Sequence, residues 1–305
     1  MSTLPTDHIH GYVIGYSAET YANVQAPFLP LDNRDNPRPD WQEYWPIRRF
    51  LLDNTLEENH YYGFFSPRFS EKIGLTPTQI VEHIAGLPAD TDVCLFCPQP
   101  DMGAFFLNVF DQNELFDPGF KESAQSFCNF AELGVDLSQV VMDARNTVFS
   151  NYFFAKPAFW RRWLSVCEAL FNACENLPHI AQLHGWLHTT TYRDGIQRKV
   201  FLLERLASLL LVIEKHWRVK AHNPFFFAYS ASRLNQFPDK AIMADALKIA
   251  YAETHNALYL QRIASHPVFQ GGIFGTGFLA AHAQELLQPQ TFEDECAVAA
   301  AFFAF

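Results

Sequence analysis

The stretch Pro39-Asp40-Trp41-Gln42-Glu43-Tyr44-Trp45-Pro46-Ile47-Arg48-Arg49-Phe50-Leu51-Leu52, followed after a short polar gap by Tyr61-Tyr62-Gly63-Phe64-Phe65-Ser66-Pro67-Arg68-Phe69, decides the fold. Trp41, Tyr44 or Trp45, Arg48 and Leu52 recur at spacings of three and four, which predicts a helix over 41–52 buried along one face. Asp40 suits its N-cap and Glu43 the third position, while Pro46 predicts a kink or a late start. Tyr61 to Phe65 reads as an apolar strand that stops at a polar turn. In open α/β sheets, ligands bind outside the carboxyl ends of such strands.

Upstream, Tyr12-Val13-Ile14-Gly15-Tyr16 reads as a first strand ending in Ser17-Ala18-Glu19-Thr20, and residues 25–40, rich in Pro and Asn, as a loop. Downstream, Thr76-Pro77-Thr78-Gln79 is a capping box with Pro at the first helical position, opening a helix over 80–85. Asp92 to Pro98 holds a further buried strand. This alternation predicts an α/β fold, a mixed, mostly parallel sheet flanked by helices. Its strands at 12–16, 61–65 and 93–96 are expected side by side, their tips framing one crevice. Beyond Phe105 the pattern turns mainly helical, with helices expected over 121–133, 157–176, 200–219 and 239–264 and a Gly-rich loop at 271–277.

With 305 residues and 49% apolar content, the chain can bury a sizeable core as one elaborated domain or two closely joined ones. A formal net charge of −11 argues against a nucleic-acid partner, which clustered Lys and Arg would bind. The N-terminus carries no basic patch followed by an apolar core, and no uncharged apolar run approaches the roughly 20 residues a membrane helix needs. The expectation is a cytoplasmic protein without a transmembrane segment, peripheral association with the inner membrane face being left open. Six scattered cysteines suit reduced thiols. In Cys94-Leu95-Phe96-Cys97, strand alternation sends the two thiols to opposite faces, which predicts buried free cysteines.

The strings Leu31-Asp32-Asn33, Arg38-Pro39-Asp40-Trp41, Glu43 to Arg48, Tyr62 to Phe69 and Lys72-Ile73-Gly74 resemble a group of bacterial proteins associated with surface-polysaccharide genes. More distantly the chain is similar to small GT-A-type glycosyltransferases, in which a Glu-bearing helix precedes a strand of the form Tyr-x-Gly-Leu. Lys199 to Leu206 is similar to the Phe-x-x-Glu-Arg-Leu element late in those enzymes, and the order of elements matches over roughly residues 10–215. The resemblance implies a GT-A-like sheet, with 1–150 as the nucleotide-sugar-binding region and 151–305 as a mainly helical acceptor-side region continuous with it. It implies transfer of a sugar from a nucleotide-sugar donor to a glycan or lipid-linked acceptor in polysaccharide synthesis. A non-catalytic relative of that fold, binding a glycan or a partner protein, is the alternative.

Such chemistry needs a held diphosphate, an oriented anomeric carbon and stabilised leaving-group charge. Tyr16 and Ser17, past the first strand, are placed for a nucleobase or ribose; Asp32 and Asn33 suit ribose or sugar hydroxyls; Arg48, Arg49 or Arg68 suits phosphate, and Ser66, at the end of its strand, the donor. Asn151 and Tyr152, similar to an Asn-Tyr pair of the bacterial group, suit the acceptor, since aromatic faces stack on sugar rings. Arg48 also reads as a partner of Glu43 or Asp53, and Ser66-Pro67 as a plain turn. For the base that takes the acceptor proton, Asp101, Asp111, Glu114 and Glu204 are the candidates. Glu204 stands on an otherwise apolar helix, where a buried acid requires a partner.

Dependence on Mg²⁺ or Mn²⁺ is left undecided. GT-A enzymes place Asp-x-Asp just after an apolar strand, whereas Asp90-Thr91-Asp92 precedes its strand and reads as a turn. Cys97-Pro98-Gln99-Pro100-Asp101 stands at the proper end with one carboxylate. His184 and His188 have the i, i+4 spacing of a helical metal pair but lack the Glu of a metalloprotease motif.

Overall fold

The computed structural model describes residues 4–177, 181–191 and 195–264; the Gly-rich loop at 271–277 and the tail beyond it lie outside them. Strands β1 (Ile9–Gly15), β2 (Leu29–Asp32), β3 (Tyr61–Phe65), β4 (Val93–Leu95), β5 (Phe153–Ala155) and β6 (Val219–Ala221) form one sheet in the order β2-β1-β3-β5-β4-β6. β1 runs parallel to β2 and β3, and β4 parallel to β6. β5 alone is antiparallel, to β3 on one side and β4 on the other, so every other strand points the same way. The fold is α/β with a mixed, mostly parallel sheet.

Twelve helices frame the sheet among the described residues: α1 (Ala18–Ala22), α2 (Tyr44–Asp53), α3 (Phe69–Ile73), α4 (Pro77–Ala85), α5 (Pro100–Ala104), α6 (Val109–Glu114), α7 (Phe120–Phe130), α8 (Pro157–Glu175), α9 (Ala181–His188), α10 (Arg198–Ile213), α11 (Pro238–Thr254) and α12 (Leu258–Ala264). α2, α8 and α10 cover one face, where Ile47, Trp160, Trp163 and Leu206 pack on Ile14, Phe64, Leu95 and Phe153. α3 and α4 cover the other, with Phe69, Ile73 and Ile80 against Val13, Phe65 and Phe154. No helix among the described residues is long and apolar enough to cross a membrane.

The structure departs from the sequence reading in several places, the helix expected over 239–264 among them, which is broken into α11 and α12 at the left-handed His255. β4 does not lie beside β3: the short apolar β5 is inserted between them, so the second half of the chain contributes strands to the sheet besides its helices. The helix expected over 200–219 ends at Ile213, because Arg218 is pinned to the head of β4, its amide 3.0 Å from Asp92 Oδ2, and the chain leaves as β6. The helix expected over 41–52 starts late, one of the two outcomes that Pro46 predicts. Pro39–Trp41 is a 3-10 turn and Gln42 adopts φ 48°, so α2 begins after Glu43, whose side chain makes no cap bond. Asp40 does not cap it either, engaged instead by Arg38 and by Lys199 at 2.8 Å.

Candidate functional site

Because β5 is antiparallel, its amino end meets the carboxyl ends of its neighbours. Ser66, Tyr152 and Tyr16 therefore gather at one sheet edge, and the Ser66 and Tyr152 hydroxyls bond each other. Lys72 reaches this edge from α3 on one face, while Glu43, at the head of α2, and Glu204, on α10, come from the other. The three charges meet past the strand tips, within electrostatic reach of one another and of Tyr16 and Tyr152.

Glu43 is 3% exposed and its Oε1 has no hydrogen-bond partner among the described residues. Burial pushes its carboxyl above the ordinary range, Lys72 pulling it down and Glu204 pushing it up. Glu204, its side chain 15% exposed, is pushed up to about 7 by burial against the opposing pull of Arg205, 3.7 Å away, and Lys72. The same burial lowers the Lys72 ammonium, against the pull of Glu43 and Glu204. Lys72 Nζ donates to Ser150 Oγ at 3.2 Å and lies 5.4 Å above the Tyr152 ring. Tyr16 Oη, Asn33 Oδ1 and Asn151 Oδ1 are also buried without a partner among the described residues. Ser150 and Asn151 adopt φ 58° and 53°, consecutive left-handed residues without glycine, a costly conformation that clusters at functional sites.

Two other buried charges are fully satisfied. Asp117 accepts from Arg198 at 2.7 and 2.9 Å and from Thr191, and Lys248 Nζ donates to the Gly103 and Phe106 carbonyls. Such full pairing is the rule for buried polar groups. Unmet buried atoms occur elsewhere too, among them Asp111 Oδ2, Thr91 Oγ1 and Gln197 Oε1; those beside Glu43 coincide with Lys72 and Glu204 at the strand tips.

The sequence candidates divide accordingly. Tyr16, Ser66, Asn151, Tyr152 and Glu204 come to this edge, and Asn33 hangs beside it, its amide 3.0 Å from the Gly15 carbonyl. Arg68 stands on the rim, 53% exposed and paired with Glu71 at 2.8 Å. Ser17 caps α1 through reciprocal bonds with Thr20. Asp32 is held by Arg34 at 2.6 and 2.8 Å on the exposed tip of β2. Arg48 pairs with Glu168 on α8 at 2.6 Å, a partner the sequence did not suggest. Asp101 is buried and accepts from the Ser230 amide and hydroxyl. Asp111 pairs with Lys121 at 2.5 Å, and Glu114 accepts from the Gly119 and Lys121 amides. Glu43 and Lys72 went unnoticed as site residues. Glu43 had the position of a helix cap, and Lys72 sits in a run, Ser70-Glu71-Lys72, that looks like surface.

Cys94 and Cys97 are buried free thiols, their ionisation pushed up by burial, Cys97 to about 12. His184 and His188 stack at 4.1 Å on α9, with His188 Nδ1 2.8 Å from the His184 carbonyl. Among the described residues no group of three or more His, Cys, Asp or Glu is arranged to hold a metal ion. Comparison with protein-family models, with curated proteins and with solved structures finds no match to this chain.

Proposed function

We propose that this protein is a GT-A-type glycosyltransferase that moves a sugar from a nucleotide-sugar donor to a glycan or lipid-linked acceptor, with its chemistry centred on Glu43, Lys72 and Glu204. The observation that carries this reading is the convergence of these charges, with unmet polar atoms around them, at the carboxyl edge of a mostly parallel sheet. A carboxyl titrating near neutral pH is suited to take a proton from an acceptor hydroxyl. Glu204, partly open and raised to about 7, has that role. Glu43, sealed from solvent, holds the inner wall. Lys72, with Arg68 one helical turn away, opposes the charge that grows on the departing phosphate.

A divalent cation does not fit the residues where such enzymes keep their Asp-x-Asp. Asp101, the carboxylate that follows β4 in sequence, is turned into the fold and satisfied by Ser230, and Asp92 at the other end of the strand is held by Arg218 at 3.0 Å. No step of the reaction is drawn through a metal.

Thermal-shift measurements with UDP-, GDP-, CMP- and dTDP-sugars, with and without Mn²⁺, test the reading. Ligand at about 100 times its Kd stabilises by roughly 2.7 kcal/mol, a rise of several degrees. One nucleotide class is expected to produce it, and Lys72→Ala to abolish it. Silence from all four classes would favour a non-catalytic protein that binds a glycan or a partner.

A further inference from the structure

The unmet atoms at the inner edge have a chemical bias. Asn33 Oδ1 and Asn151 Oδ1 are acceptors, while Glu43, raised to about 8 by burial, and Tyr16 Oη, kept neutral by burial, each serve as donor or acceptor. A phosphate, itself an acceptor, would leave the two amide oxygens unmet. A sugar ring brings a hydroxyl donor at most of its carbons. Resting on the transfer reading, we infer that the buried floor formed by Tyr16, Glu43 and Asn151, with Asn33 at its margin, takes the transferred sugar through its hydroxyl or amino groups. The diphosphate then lies outward, at Lys72 and Arg68 on and before α3.

Local geometry fits this division. Lys72 Nζ is tied to Ser150 Oγ, one residue before Asn151, so the cation and the acceptor amide stand on adjoining positions of one left-handed turn. Ser66 and Tyr152 satisfy each other's hydroxyls and so close the wall between them. The floor thus selects a sugar that keeps its donors: removal or methylation of a hydroxyl that meets Glu43 leaves a buried carboxyl oxygen unpaired, a loss typical of sites built around hydrogen bonds.

The test compares free nucleotides with their nucleotide sugars by isothermal titration on the full chain, using wild type, Glu43→Gln and Asn151→Gly, the last because glycine accepts the φ of 53°. The nucleotide sugar is expected to bind wild type at least about tenfold more tightly than its free nucleotide, the sum of about two ordinary hydrogen bonds from sugar hydroxyls. Both variants should lose this advantage and keep the affinity for free nucleotide within about twofold. Equal affinities in wild type, or variants that weaken both ligands alike, overturn the inference while leaving nucleotide binding intact. If no nucleotide binds, the transfer reading fails, and methyl glycosides of glucose, galactose, mannose and N-acetylglucosamine in saturation-transfer NMR decide the sugar site. Transfer to one glycoside that Asn151→Gly abolishes upholds it; silence from all four overturns it.

Discussion

At the scale of single residues, Glu43 has a buried oxygen with no partner among the described residues, and Lys72 and Glu204 converge on it. Glu204 makes this measurable. Its carboxyl is raised to about 7 in the folded chain, against the ordinary value of 4.5 when unfolded, so the native state holds an extra proton between those limits. Stability from this group is complete below about pH 4.5 and is lost as pH rises through 7. We expect Glu204→Gln to gain on wild type across that window, by on the order of 3 kcal/mol at about 1.4 kcal/mol per pH unit. Urea denaturation of both proteins from pH 4.5 to 7.5 checks it. A difference that stays flat with pH would show a carboxyl with an ordinary titration. Arg48 illustrates the opposite outcome: a residue with phosphate-binding chemistry donates to Glu168, which also accepts from Tyr44 Oη, joining α2 to α8.

At the scale of elements, the sheet is packed on aromatic rings that require glycine opposite them. Gly63 on β3 pairs with Phe154 on β5, and a Cβ there would meet the Phe154 ring at 2.7 Å. Gly11 on β1 is in register with Gly63 and lies against the Phe28 ring. Rings in a packed core give little, so Gly63→Ala is expected to destabilise by about 1–3 kcal/mol. Its denaturation midpoint checks this, and an unchanged midpoint would mean that β5 shifts freely. β1, β3 and β4 were legible because each is an apolar run bounded by turn residues. β5 was not: three residues, Phe153-Phe154-Ala155, buried on both faces show no alternation, and their aromatic content reads equally well as core of any kind. β2, Leu29–Asp32, was read as loop because Pro30 and its polar flanks suit one; it survives as an edge strand, where proline is tolerated.

At the scale of the whole molecule, residues on either side of position 150 share one core. One apolar cluster runs from Ile14 on β1 through Trp160 on α8 to Leu210 on α10. β5 and β6 stand among strands of the first half. The described residues are therefore expected to unfold in one cooperative step, seen as coincident transitions in tryptophan fluorescence and far-ultraviolet circular dichroism. Separate midpoints would mean that the halves are stabilised independently.

The sequence by itself determined the class of fold, the direction of β1, β3 and β4 and the presence of an acid on an apolar helix, because periodicity and turn residues act within a few positions of one another. Only the tertiary structure decided where β5 inserts, and with it which side chains share the edge. Glu43, Lys72 and Glu204 are far apart in the chain and lie on different faces of the sheet. Their meeting depends on how the helices dock, a property of packing between distant segments that no local pattern of residues records.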